Sequence, residues 1–151
     1  MKKGFTLVEL LVVIAIIGVL AGGAVVVLGD RPAQARDARR LADMDSLKTA
    51  IDLIYTESGS YTALAIAPAA PVEINKLTGG ELFKSFNQLP FDPKGTVSCA
   101  TDCTKMCNYA VSEAPAAATY KIKFWLEKGA AAYSVPGCYA LTEKGIVKIA
   151  N

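Results

Sequence analysis

Histidine is absent from this 151-residue chain. Its absence removes the Ser-His and Cys-His pairs by which many enzymes activate a nucleophile. It also removes the imidazole ligand that zinc sites commonly use. There is no glycine-rich phosphate loop. No close pair of carboxylates stands out beyond those on one helical stretch, whose charged face reads as solvated. Beyond Ala100 the acidic residues are only Asp102, Glu113, Glu127 and Glu143. Neither sign of charge dominates, with 16 Lys and Arg against 14 Asp and Glu, so charge gives no reason to expect nucleic acid as a partner. No internal repeat is evident. These absences argue against an enzyme, a resident cofactor and a metal centre.

What the chain does have is a long uncharged run near its start. Met1-Lys-Lys-Gly4 precedes Phe5-Thr-Leu-Val-Glu9, and the nineteen residues from Leu10 to Leu28 carry no charge. About 20 apolar residues make a helix long enough to cross a ~30 Å hydrocarbon core. A run that is apolar on every face argues against a helix packed on one side only. Glu9 is the exception, directly before it. An unpaired carboxylate in lipid costs at least ~2.5 kcal/mol, and the chain offers it no obvious internal partner. The segment therefore reads as built to meet a second copy of itself. Two readings compete: a secretory signal cut near Ala21-Gly-Gly-Ala24, and a plain membrane anchor. The first is disfavoured because the run exceeds the usual ~7–15 residues and carries a carboxylate.

Lys3-Gly4-Phe5-Thr6-Leu7-Val8-Glu9 resembles the leader-peptidase site of type IV pilins and type II secretion pseudopilins. The resemblance implies cutting after Gly4 by a prepilin peptidase and methylation of the new amino-terminal residue, Phe5. It also implies an assembly role for Glu9, whose carboxylate would meet the Phe5 amine of another copy. Loss of the first four residues would remove two of the sixteen basic side chains, leaving fourteen against fourteen acidic ones. That balance suits close packing of many copies. The major pseudopilin of type II secretion carries an acidic calcium loop near its carboxyl end. This sequence lacks that cluster, which favours a pilus subunit or a different pseudopilin. Gly18 and Gly22 have the spacing that lets membrane helices approach closely. Basic residues follow the apolar run at Arg31, Arg36, Arg39 and Arg40, and by count alone would hold the carboxyl-terminal part in the cytoplasm. Cysteine usage and the leader resemblance point the other way.

After the run, Leu41, Met44, Leu47, Ile51, Ile54 and Tyr55 recur at helical spacing on one face. Arg36, Asp37, Arg40, Asp43, Lys48 and Asp52 mostly fall on the other. Pro32 marks a kink or restart, Gly29 or Asp30 would cap a break, and Gly59 ends the helix. The closing Tyr55-Thr-Glu-Ser-Gly-Ser-Tyr61 also resembles the family. Residues 63–71 read as a loop, with a short helix expected within Leu77–Phe86. Pro90, Pro93 and Gly95 mark a turn, and Asp92-Pro-Lys-Gly95 resembles the turn that precedes the sheet in this family. Strands are expected at 108–112, 119–126, 138–142 and 146–149, the last two joined by a turn at Glu143-Lys-Gly145. Tyr120, Ile122, Phe124 and Leu126 alternate with Lys121, Lys123 and Trp125.

Cys99, Cys103, Cys107 and Cys138 make an even number in a chain with an export signal, which reads as two disulfides. Three pairings are open, and sequence does not choose among them. The equal spacing of Cys99, Cys103 and Cys107 invites a metal reading, but zinc ligands usually come in pairs with short gaps and often include His. Free thiols are the remaining alternative.

The expectation is an α+β, pilin-like fold: a long amino-terminal helix, membrane-spanning in its first half, packed on a carboxyl-terminal antiparallel sheet. Its parts are a leader (1–4), an assembly helix (5–28), an amphipathic helix (29–58), a connecting region (59–106) and a disulfide-bearing sheet (107–151). The expected function is a structural subunit of a type IV pilus or pilus-like filament. It would wait as a single-pass precursor in the inner membrane and pass into an extracellular or periplasmic filament. Expected partners are copies of itself, the prepilin peptidase and the membrane assembly machinery. The alternatives are a minor pseudopilin of a secretion or DNA-uptake system, or a monomeric membrane-anchored binding domain.

Overall fold

The computed structural model describes residues 4–27, 31–64, 70–77, 86 and 88–149, with side chains in the first helix described through Gly22. The chain divides into two compact units between Ala33 and Gln34. The first contains helix α1, Leu7–Val27. Every described residue from Gly4 to Gly22 is exposed. Among the described residues no helix is long and apolar enough to cross a membrane; the described side chains of α1 number only sixteen, from Leu7 to Gly22.

Helix α2 runs Arg31–Ser58. Pro32 lies in its first turn, where the missing N–H has no helical acceptor to lose. The caps expected at Gly29 and Asp30 lie outside the described residues. At the far end Gly59 adopts φ 71° and its N–H donates to the Tyr55 carbonyl at 2.8 Å. This is a left-handed cap that glycine enters without a Cβ penalty. Leu41, Met44, Leu47, Ile51 and Ile54 are buried as the periodicity requires. Tyr55 does not join them: it is 38% exposed and lies over the Tyr61 ring at 4.4 Å. Asp37 and Arg40 depart further from expectation. Read as solvated, both are completely buried. They lie on the same helical line as Met44 and Leu47, because steps of three and four carry the core face back to Arg40 and Asp37.

Five strands are present among the described residues: β1 (Val72–Glu73), β2 (Ala110–Val111), β3 (Lys121–Leu126), β4 (Gly137–Thr142) and β5 (Gly145–Lys148). They pair antiparallel in chain order. The β4–β5 hairpin turns at Glu143 and Lys144, with Thr142 opposite Gly145. Ile122, Phe124 and Leu126 face the core, and Val111, Tyr139 and Leu141 sit beside them in register. α2 supplies the other wall of that core. The opposite face of the sheet is covered as well. Ala110 and Ala140 are fully buried there, and Trp125 packs against Cys99, Cys107 and Ala110.

Residues 59–106 hold more than connection. They contribute β1 and the 3-10 turns Tyr61–Leu64 and Ile74–Lys76. Val72 pairs with Val111 and Glu73 with Ala110, so a short edge strand forms directly after the stretch 63–71 that composition marks as a loop. The short helix expected within Leu77–Phe86 lies almost wholly outside the described residues.

Candidate functional site

The predicted residues fall in two places: the start of α1 and a sulfur cluster at the back of the sheet. At the first, Gly4 is exposed, and a Cβ built on it would meet nothing within 4 Å. Phe5 is 84% exposed. Thr6 precedes the first helical residue as the cap. Its hydroxyl accepts from the Glu9 N–H at 3.3 Å. The Glu9 carboxylate reaches back, accepting from the Thr6 N–H and the Thr6 hydroxyl, both at 2.9 Å. This reciprocal pair is a capping box, which satisfies free donors at the helix start. Glu9 therefore has an internal partner, contrary to the sequence reading. The signal was present: Thr6-Leu-Val-Glu9 carries a threonine with a glutamate three residues on.

At the second place all four cysteines are bonded: Cys99 to Cys107 and Cys103 to Cys138. The first bridge closes a loop over eight positions and the second ties that loop to β4 across thirty-five. The Sγ atoms of Cys99, Cys103 and Cys107 lie within 4.8 Å of one another. Because each is already in a disulfide, none offers the thiolate that a soft metal requires.

A third constellation was missed from sequence. The Arg40 guanidinium is completely buried and donates to three carboxylates. Nε reaches Asp92 Oδ2 at 2.5 Å, and Nη2 reaches Asp92 Oδ1 at 3.0 Å. Nη1 reaches Asp37 Oδ1 and Glu127 Oε1, each at 2.7 Å. Arg36 makes a two-pronged bond to Glu127 at 2.7 and 2.6 Å. Asp37 also accepts from the backbone N–H groups of Glu127, Lys128 and Gly129 at 2.9, 2.8 and 2.8 Å. Gly129 has φ 86°, and a Cβ there would fall on the Tyr133 carbonyl.

Burial alone would lower the Arg40 pKa, but the bonds from Asp92 and Asp37 outweigh it and raise it. Glu127 is held down at about 2, first by the hydrogen bond from Arg36, which overcomes desolvation, and then by Arg40. Nearby, the Tyr109 hydroxyl donates to Asp43 at 2.9 Å. Desolvation, then the Asp43 charge, pushes the Tyr109 pKa up. The network fastens α2 to the Asp92 turn and to the end of β3.

The first residues match the prokaryotic N-terminal methylation motif over positions 1–25, which takes in Gly4, Phe5 and Glu9. Over 100 residues the chain is 32% identical to the type II secretion system core protein G of Pseudomonas aeruginosa, covering 62% of this chain and 69% of that protein. A fimbrial protein of Pseudomonas aeruginosa is 31% identical over 117 residues, 75% of each chain. The chain belongs to the type IV pilin and pseudopilin family. Fimbrial protein EcpB of Eikenella corrodens shows a more local likeness to this pilin-family chain, 45% over 61 residues, or 40% of this chain and 38% of that one. No solved structure matches it. The structure agrees with pilin-family membership in its order of elements: helix first, then an antiparallel sheet packed on the helix.

Proposed function

We propose that this chain is a structural subunit of a type IV pilus or pilus-like filament, cut after Gly4, methylated at Phe5 and polymerised through α1. The observation that carries the reading is the state of α1. Its apolar side chains are bare: Leu7 is 79% exposed, Leu10 60%, Ile14 61%, Ile17 58% and Leu20 68%. Each such side chain gains about 1.5–3 kcal/mol when fully removed from water. α1 has no polar face to turn outward, so it calls for lipid before assembly and for other copies of α1 afterwards. Gly4 supports the processing step. The fold leaves open space around it, so the fold supplies no reason for glycine at that position. A peptidase that reads the scissile residue supplies one.

The assembly chemistry follows from Glu9. Its Oε2 accepts from Thr6, and among the described residues no side chain of the fold is bonded to its second oxygen. The cation that would answer this carboxylate is the amine of Phe5 in a neighbouring copy. The role is structural, and the prepilin peptidase and the inner-membrane assembly machinery are the implied partners. A second reading, a pseudopilin of a secretion or DNA-uptake system, rests on the similarity to core protein G.

Intact-mass measurement of purified protein tests the processing step. The expected mass begins at Phe5 and carries one methyl group. Gly4→Leu is expected to remain uncut and membrane-bound. A chain beginning at Met1 or after Ala24 defeats the reading. Shearing cells and pelleting filaments separates a polymerising subunit from a monomeric anchored domain.

A further inference from the structure

Two disulfides packed against each other are chemically more than two isolated bridges. Cys99, Cys107 and Cys138 are all but completely buried, whereas Cys103 is only partly buried. Cys103 is thus the sulfur-bearing residue of the cluster that solvent reaches. Its Sγ lies 4.0 Å from Cys107 Sγ, and within 4.8 Å of Cys99 Sγ as well. Ala110, Val97, Ala100 and Trp125 pack around the cluster.

We propose that the two bridges form one exchange unit entered at Cys103. A dithiol reductant attacks Cys103 Sγ, forming a mixed disulfide and expelling Cys138 as thiolate. The second thiol of the reductant resolves the mixed disulfide, leaves oxidised, and frees the Cys103 thiolate. That thiolate attacks Cys107 Sγ of the neighbouring bridge, forming Cys103–Cys107 and expelling Cys99. The last step is an exchange, with one S–S bond broken and one formed, and it needs no further oxidant or reductant. Attack on Cys99 instead gives Cys99–Cys103 and frees Cys107. In each outcome the loop from 99 to 107 keeps one internal bridge while its tie to β4 is cut. The site is a redox-addressable latch between the loop and β4, with Cys103 as its point of modification by thiol–disulfide chemistry.

The test uses the full chain in detergent with Cys138→Ser, which mimics the state after the latch opens. The free thiol is trapped by acid and alkylation, and the pairs are mapped without reduction. Cleavage before Asp102 and after Lys105 separates the three loop cysteines. The expected result is label shared among Cys99, Cys103 and Cys107, with Cys103–Cys107 or Cys99–Cys103 peptides present. Re-equilibration after a pH jump should quicken about tenfold per pH unit below the ordinary thiol pKa of ~8.5. Label confined to Cys103, with Cys99–Cys107 as the sole bridge, overturns the proposal. Should that variant fail to fold, the unmodified chain is treated with limiting dithiothreitol. Label on Cys138 accompanied by Cys103–Cys107 or Cys99–Cys103 peptides supports the exchange. Label confined to Cys103 and Cys138, or to Cys99 and Cys107, overturns it.

Discussion

Glu9 caps α1 and is proposed to pair across copies, and a single substitution can separate the two. As the fourth residue of the capping box it accepts from Thr6, and losing the Thr6 cap itself costs about 0.5–2 kcal/mol. As a carboxylate it is the group proposed to meet the Phe5 amine of another copy. Glu9→Gln keeps an acceptor for the Thr6 amide and removes the charge. Mature mass is expected to stay normal, since the cut lies at Gly4, while filament yield by shearing and microscopy falls sharply. Thr6→Ala is the converse: it loosens the helix start and keeps the charge, so filaments are expected to persist at reduced yield. Normal filaments from Glu9→Gln would show that charge pairing does not drive assembly. Arg40 makes the residue-scale argument in the folded domain. Arg40→Met strips the shared cation from Asp37, Asp92 and Glu127, and breaking a buried pair in this way costs about 3–5 kcal/mol. Chemical denaturation of the full chain in detergent measures it.

Among the elements, α2 shows what helical periodicity reveals and what it hides. The buried line Leu41, Met44, Leu47, Ile51, Ile54 was legible from spacing. The same line extended to Arg40 and Asp37 was not, because a charged side chain on the core face is ordinarily a solvated one. The partners that overturn that expectation, Asp92 and Glu127, lie fifty-two and eighty-seven positions away from Arg40. The turn carrying Asp92 depends on a second element. Asp92 Oδ1 also accepts from the Lys94 N–H at 2.8 Å. Three residues on, a Cβ at Gly95 would sit 2.5 Å from the Asn108 nitrogen and 2.6 Å from the Cys107 carbonyl carbon. Gly95→Ala must push the turn away from Asn108, whose N–H donates to the Val97 carbonyl at 2.7 Å. Overpacking of this kind costs about 1–3 kcal/mol. Thermal unfolding is expected to show the loss, with processing at Gly4 unchanged.

For the whole molecule, the charge network sets how the fold responds to acid. The Glu127 pKa is about 2 in the folded chain, against an ordinary value of 4.5. Below 4.5 the unfolded chain binds the proton that the folded chain still refuses. The stability Glu127 contributes is therefore fully present above about pH 4.5 and is lost as pH falls towards 2. Asp43 runs the other way, since burial raises its pKa. Denaturant midpoints measured from pH 6 down to pH 2 are expected to fall through this window. Glu127→Gln is expected to start lower and to fall less steeply. An unchanged slope would place the acid sensitivity elsewhere.

The sequence by itself determined the features that rest on local pattern. They include the uncharged run and its lone carboxylate, the motif at Gly4 and Phe5, the apolar line of α2, and the alternation in β3. In each, neighbouring residues along the chain contain the whole signal. Tertiary structure alone decided which cysteines pair, because three pairings were open and only the fold brings Cys103 to β4. It decided that Arg40 and Asp37 are interior, because a buried charge is tolerable only where opposite charges converge from distant segments. It also decided that a two-residue strand forms at Val72, because so short an edge exists only by pairing with β2.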